Sequence, residues 1–220
     1  MPSDQPAARS AVLAAFVGFP VALAAADLAA PSFAHGRELA AAVAAHPART
    51  WLFVSLRLAD AALLLAAAAV VWLIARHRPG RRIAAGLAVA LAVLGALGQA
   101  QDGAYQLFVL SLRDHSAAAA GGILTRLDSL AAPLELPLLL AFALALPLLL
   151  VAAYRAGAAP VWAIAAAIAA FLAHFVPGPV PSRLADVLLI VAFAGAAITT
   201  GARPATDGSL PVSRPSTLPA

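Results

Sequence analysis

Three Arg-Leu pairs, each followed closely by an Asp, stand at the thresholds of long apolar runs: Arg57-Leu58-Ala59-Asp60, Arg126-Leu127-Asp128 and Arg183-Leu184-Ala185-Asp186. An Arg and a carboxylate at the edge of an apolar segment can bind an ion or a polar headgroup, pass a proton, or close on each other as a structural pair. Residues three apart on a helix are neighbours, so Arg57 with Asp60 and Arg183 with Asp186 can pair locally, and Arg can snorkel to lipid headgroups. An Arg in the first turn of a helix opposes the positive end of the helix dipole, however, and calls for a further acid. Asp27 and Asp102, at the ends of neighbouring apolar runs, are the acids available to Arg57.

A fourth carboxylate lies deeper. In Pro133-Leu134-Glu135-Leu136-Pro137, with Pro147 beyond, Glu135 sits inside an apolar run between prolines. Each proline removes a helical hydrogen bond and frees a carbonyl, which a membrane tolerates only where protein, water or ligand satisfies it. A carboxylate beside freed carbonyls reads as a proton or cation site, against the plainer alternative of a satisfied structural Glu. Upstream, Gly95-Ala96-Leu97-Gly98 permits close helix approach, and Gln99, Gln101 and Asp102 just beyond it can line a polar cavity. His174, ahead of Phe175-Val176-Pro177-Gly178-Pro179, is either a helix cap or, beside Glu135 and Asp186, a proton relay or metal ligand. The other histidines fall in loops or in a basic cluster. No pair has the i, i+4 spacing of a helical zinc site, and no two lie deep enough for haem, so neither a metal nor a cofactor is expected.

These residues are carried by a chain that is 63% hydrophobic and 11% charged, with a mean hydropathy of +0.93. That leaves too little polar surface to cover a water-soluble globule, so the partner expected first is a lipid bilayer. All 14 basic residues are Arg, without the interleaved aromatics of a nucleic-acid surface, which excludes nucleic acid. The lack of Cys removes disulfides, thiolate metal sites and a thiol nucleophile together.

A helix needs about 20 apolar residues to cross the hydrocarbon layer. Runs of this kind read at 10 to 30, 51 to 75, 83 to 101, 130 to 153, 158 to 176 and 184 to 200, predicting an all-α bundle of six transmembrane helices. Paired as hairpins 10 to 75, 83 to 153 and 158 to 200, they suggest a threefold repeat. The segment from Ser32 to Thr50 reads as a short interfacial amphipathic helix. Residues 201 to 220, rich in Pro, Ser and Thr, read as a disordered cytoplasmic tail.

Arg76-His77-Arg78-Pro79-Gly80-Arg81-Arg82 is the strongest cytoplasmic retention signal in the chain, so parity places both termini inside. The inner face then holds eight Arg against two Asp, and the outer face six Arg against eight carboxylates. Ala11 to Ala26 also has the length of a signal-peptide core, with Ala24-Ala25-Ala26 as a small-residue cleavage site. A weak n-region opposed by Asp4 argues against that alternative.

Taken together, Phe53-x-x-x-Arg57-Leu58-x-Asp60, the Arg-Pro-containing inner turn, and Arg155-Ala156-Gly157-Ala158-Ala159-Pro160-Val161-Trp162 resemble a diffuse group of uncharacterised bacterial six-helix membrane proteins. The resemblance implies an integral protein of a bacterial inner membrane and carries over no activity or site residue. Three function classes follow from the residues themselves. The first is a non-enzymatic protein binding a small polar molecule, cation or lipid headgroup in an outward polar pocket, as in transport, with Glu135, Asp60, Arg57, Asp27, Asp102, Arg126, Asp128, His174, Arg183 and Asp186 as candidates. The second is a structural or sensory subunit docking through small-residue faces on a membrane-protein partner or a second copy. The third, an intramembrane metal-dependent enzyme, lacks a GxSxG elbow, a HExxH pair and any Cys.

Overall fold

The computed structural model describes residues 5–30, 36–76, 79–174, 176 and 179–201. Every regular element among them is helical, in the order α1 (Gln5–Ala29), α2 (Gly36–Ala45), α3 (Pro47–Ala75), α4 (Pro79–Ser111), α5 (Ala117–Arg155), α6 (Val161–His174) and α7 (Pro179–Gly201). Among the described residues, α1, α3, α4, α5 and α7 are long and apolar enough to cross a membrane. The tail read at 201 to 220 lies, beyond Gly201, outside the described residues.

The run read at 158 to 176 forms only the 14-residue α6, about 21 Å of rise. Its start is delayed by the turn that ends α5. Gly157 takes φ 72° there, Gly157 N–H bonds to the Tyr154 carbonyl at 2.6 Å and Ala158 N–H to Ala153 at 2.7 Å, the paired bonds of a glycine-terminated helix. At the far end of the hairpin, Thr200 Oγ1 donates to the Ala158 carbonyl at 3.0 Å, which ties the end of α7 to the start of α6.

Helices α4 and α5, at 33 and 39 residues, outrun the apolar stretches that announce them. Ser116 caps α5 by accepting from Ala119 N–H at 3.3 Å. The surplus turns survive because α2 packs across them: Leu39 and Val43 are buried with Val109, Leu110, Leu112, Ala120 and Leu124 in a small core of their own. Of the segment read from Ser32 to Thr50 as one interfacial helix, Gly36–Ala45 forms α2, with Leu39 and Val43 against protein, while residues 47–50 belong to α3 and 32–35 lie outside the described residues.

The main core is built from small residues in helical register. Ala85, Ala88, Ala92 and Ala96 on α4 and Ala163, Ala167 and Ala170 on α6 are buried, which lets backbones approach where no bulky side chain intervenes. Phe16 and Phe19 of α1 fill the centre against Phe193 of α7, with ring centroids 5.9 and 5.3 Å apart, and Phe19 also meets Phe142 of α5 at 6.3 Å. Helix α1 is therefore a core element of the bundle.

Charge marks two levels about one bilayer apart. Asp102 follows Arg82 by 20 residues on α4, and Arg155 follows Glu135 by 20 on α5, each about 30 Å of rise and equal to the hydrocarbon thickness. The α2 headpiece and the surplus turns of α4 and α5 stand beyond the acidic level.

Candidate functional site

Arg57 is the hub of the acidic level. It projects from the third turn of α3 and its guanidinium reaches two other helices: Nη2 contacts Asp27 Oδ1 of α1 at 2.8 Å, Nη1 donates to Gln99 Oε1 of α4 at 2.8 Å, and Nε lies 3.1 Å from Asp102 Oδ2. The Phe53 ring, 5.1 Å from the guanidinium carbon, covers it. The local partner Asp60, one turn deeper, is more distant at 3.9 Å. Asp60 is fully buried, and neither carboxylate oxygen accepts a hydrogen bond among the described residues. Nearby, Arg49 donates from Nε to the Ala29 carbonyl and from Nη2 to that of Leu28, both at 3.0 Å, closing the C-terminal end of α1 beside Asp27.

Above this network a cavity of about 620 Å³ opens between α4 and α5, with Arg57 and Leu39 at its edge. Its long axis follows the helices. Tyr105 O–H donates to Asp128 Oδ1 at 2.7 Å at the headpiece end. The opposite end is closed where α4 and α5 nearly touch: a Cβ on Gly95 would lie 2.7 Å from Phe142 Cα, and one on Gly98 3.1 Å from Leu138 Cβ. Gln99, Gln101, Asp102, Gln106, Asp128 and Glu135 supply its polar lining, and Leu138, Leu139 and Phe142 its apolar end.

Among the described residues the lining carries three carboxylates against one Arg, and that Arg is engaged by Asp27, Gln99 and Asp102. Acceptors outnumber donors. The Oε1 of Gln106, buried within this wall, accepts no hydrogen bond among the described residues. Such a site attracts positive charge and N–H or O–H donors and repels anions.

Of the ten candidate residues, the structure gathers six. Arg57, Asp102, Asp128 and Glu135 line the cavity, while Asp27 and Asp60 flank Arg57 from outside it. Glu135, inside its apolar run, is exposed and open to the cavity. Arg126 is exposed and off the cavity wall, because it and Asp128 are only two residues apart and so face different sides of α5. Arg183 and Asp186 lie apart from the cavity on α7, 3.6 Å from one another, the local i, i+3 contact. His174 ends α6, and its side chain lies outside the described residues.

The three Arg-Leu motifs also fail to begin their helices. Arg57, Arg126 and Arg183 are the eleventh, tenth and fifth residues of α3, α5 and α7. The first-turn dipole argument therefore does not apply to them, and what brings Arg57 to Asp27 and Asp102 is the meeting of three helices. Among the described residues, no group of three His, Asp or Glu is arranged to hold a metal ion.

Gln106 and Tyr105 are wall residues that the motif reading passed over. A signal for the first was present, since Gly95, Gln99, Asp102 and Gln106 fall at i, i+4, i+7 and i+11 and share one face of α4. No protein-family model, characterised protein or solved structure matches this chain.

Proposed function

We propose that this chain is a six-crossing membrane protein that binds a small cationic solute in the cavity between α4 and α5, as a solute-binding or transport component. The observation that carries this reading is the charge of the wall: Asp102, Asp128 and Glu135 face a volume in which Arg57, the only cation among the described lining residues, is already held by Asp27 and Asp102. At about 4 Å and an effective dielectric constant of about 20, each uncompensated carboxylate attracts a unit cation by about 4 kcal/mol. The volume falls within the range of small-molecule pockets, roughly 300–1,000 Å³.

The sixth crossing is α6, whose hairpin with α7 returns the chain to the level where α6 began. The Arg-rich end is assigned to the cytoplasm and the acidic cavity to the outer side of a bacterial inner membrane, following the Arg distribution.

The test is calorimetric titration of the protein in nanodiscs, with empty discs as blank. Hexylammonium or hexyltrimethylammonium is expected to give saturable binding, hexanoate none, and the double variant Asp102→Asn, Glu135→Gln is expected to lose at least tenfold in affinity. No saturable cation binding, or equal binding of hexanoate, sinks the proposal.

A further inference from the structure

We infer that the cation taken by this cavity is a single-headed amphiphile of limited chain length, with its charge between Asp102 and Glu135 and its apolar chain running toward Gly95 and Phe142. This names the ligand class of the same cavity and rests on the cation reading above.

The level of the head follows from the register of the two walls. Gly95 of α4 stands against Phe142 of α5, and Gly98 against Leu138. Continued at the same antiparallel register, Asp102 stands level with Glu135, so two carboxylates line the space from opposite walls. Like charges so placed repel, and a cation between them removes that cost. Arg57 offsets part of it at Asp102, 3.1 Å from Oδ2, but is itself shared with Asp27.

Toward the closed end the lining turns apolar. On α5, Glu135 is followed along the wall by Leu138, Leu139 and Phe142; on α4, Gly98 and Gly95 oppose them with bare backbone, and the Gln99 carbonyl is taken by Arg57 at 2.8 Å. An ammonium ion without a chain satisfies the carboxylates but leaves these side chains facing water. An alkyl chain displaces that water while its head stays with the acids.

The floor limits the chain. Asp102 and Gly95 are seven residues apart, about 10 Å of rise. A zigzag of C–C bonds of about 1.5 Å covers that distance with about eight carbons. Below it, a Cβ on Gly95 would already lie 2.7 Å from Phe142 Cα, so no further methylene fits along the axis.

The experiment titrates the nanodisc-held protein calorimetrically, with empty discs as blank, using four ions of one charge: ethylammonium, heptylammonium, decylammonium and 2-(2-methoxyethoxy)ethylammonium. The last matches heptylammonium in length but carries two ether oxygens in its chain. At about two- to fourfold in affinity per buried methylene, heptylammonium is expected to bind at least thirtyfold tighter than ethylammonium. It is also expected to bind at least tenfold tighter than the ether, with decylammonium within about threefold of it because the extra carbons meet the floor. Leu139 lines the apolar end and is half-exposed, so Leu139→Gln is expected to fold. That variant should lose at least about fivefold for heptylammonium and nothing for ethylammonium. The four-ion series on the wild type decides the matter by itself if the variant does not fold.

Ethylammonium or the ether binding as tightly as heptylammonium would overturn the inference while leaving cation binding intact. So would an undiminished gain per methylene from heptyl to decyl, which places the chain in lipid instead of the cavity, or a Leu139→Gln protein that holds heptylammonium unchanged. Absence of saturable binding for all four ions removes the cation reading itself.

Discussion

Arg57 makes 2.8 Å contacts to Asp27 and Gln99, lies 3.1 Å from Asp102, and leaves Asp60 at 3.9 Å, so its charge is shared unequally among the acids of three helices. Removing one partner of a buried ion pair strands the others, at about 3–5 kcal/mol. Arg57→Met is therefore expected to lower unfolding stability in detergent by about that amount, and a loss below about 1 kcal/mol would mean the network does not hold the helices. Asp60→Asn should behave in the opposite way. The carboxylate is enclosed, accepts no hydrogen bond among the described residues and is the most distant of the three acids, so a neutral isostere avoids the cost of desolvating its charge. Thermal unfolding of Asp60→Asn is expected at or above the wild-type temperature; marked destabilisation would show that Arg57 depends on Asp60. Glu135 stands open to the cavity, and Glu135→Gln is expected to change stability by less than about 0.5 kcal/mol while weakening cation binding.

Helices α4 and α5 set the cavity by nearly touching at one end and parting at the other. A Cβ on Gly95 would lie 2.7 Å from the backbone of Phe142, which cannot swing aside as a side-chain tip can. Gly95→Ala is expected to destabilise by about 1–3 kcal/mol and to impair ligand binding by forcing the helices apart. Gly122→Ala, on α5 with open space around its Cβ, is expected to be neutral or to stabilise by up to about 1 kcal/mol. Equal effects in the two variants, read from the same denaturation curves, would contradict the close contact. Helix positions were legible because apolar runs report where a chain can be buried. Helix ends were less so: α4 and α5 continue past their apolar stretches because α2 covers them, a contact between residues far apart in the chain. The partners of Arg57 were legible as a short list of acids, since Asp27 and Asp102 stand at the ends of the apolar runs that neighbour α3. Gln106 was not singled out, because an amide becomes informative only once its surroundings are known to leave it without a donor.

The bundle as a whole is a slab of alanine-lined helices between two charged levels, with its acidic cavity at one level and a helical headpiece beyond it. The small core residues explain how helices carrying so few bulky side chains hold together: close backbone approach replaces interdigitated packing, and Phe16, Phe19 and Phe193 fill the centre. The same regularity obscured the architecture in the sequence, because Ala faces look alike at every rotation and conceal which side of α4 meets α5. The chain has no Cys, so one thiol introduced at Ala132 on the cavity wall is the only site for thiol-specific reagents. The most direct test of a cation-selective cavity is the rate at which Ala132→Cys, held in nanodiscs, reacts with cationic and anionic methanethiosulfonates, each normalised to free cysteine. A cation-selective cavity gives at least a tenfold preference for the cationic reagent, reduced toward unity when Asp102→Asn and Glu135→Gln are added and slowed by saturating hexylammonium. An unreactive thiol, or equal normalised rates for the two reagents, would contradict it.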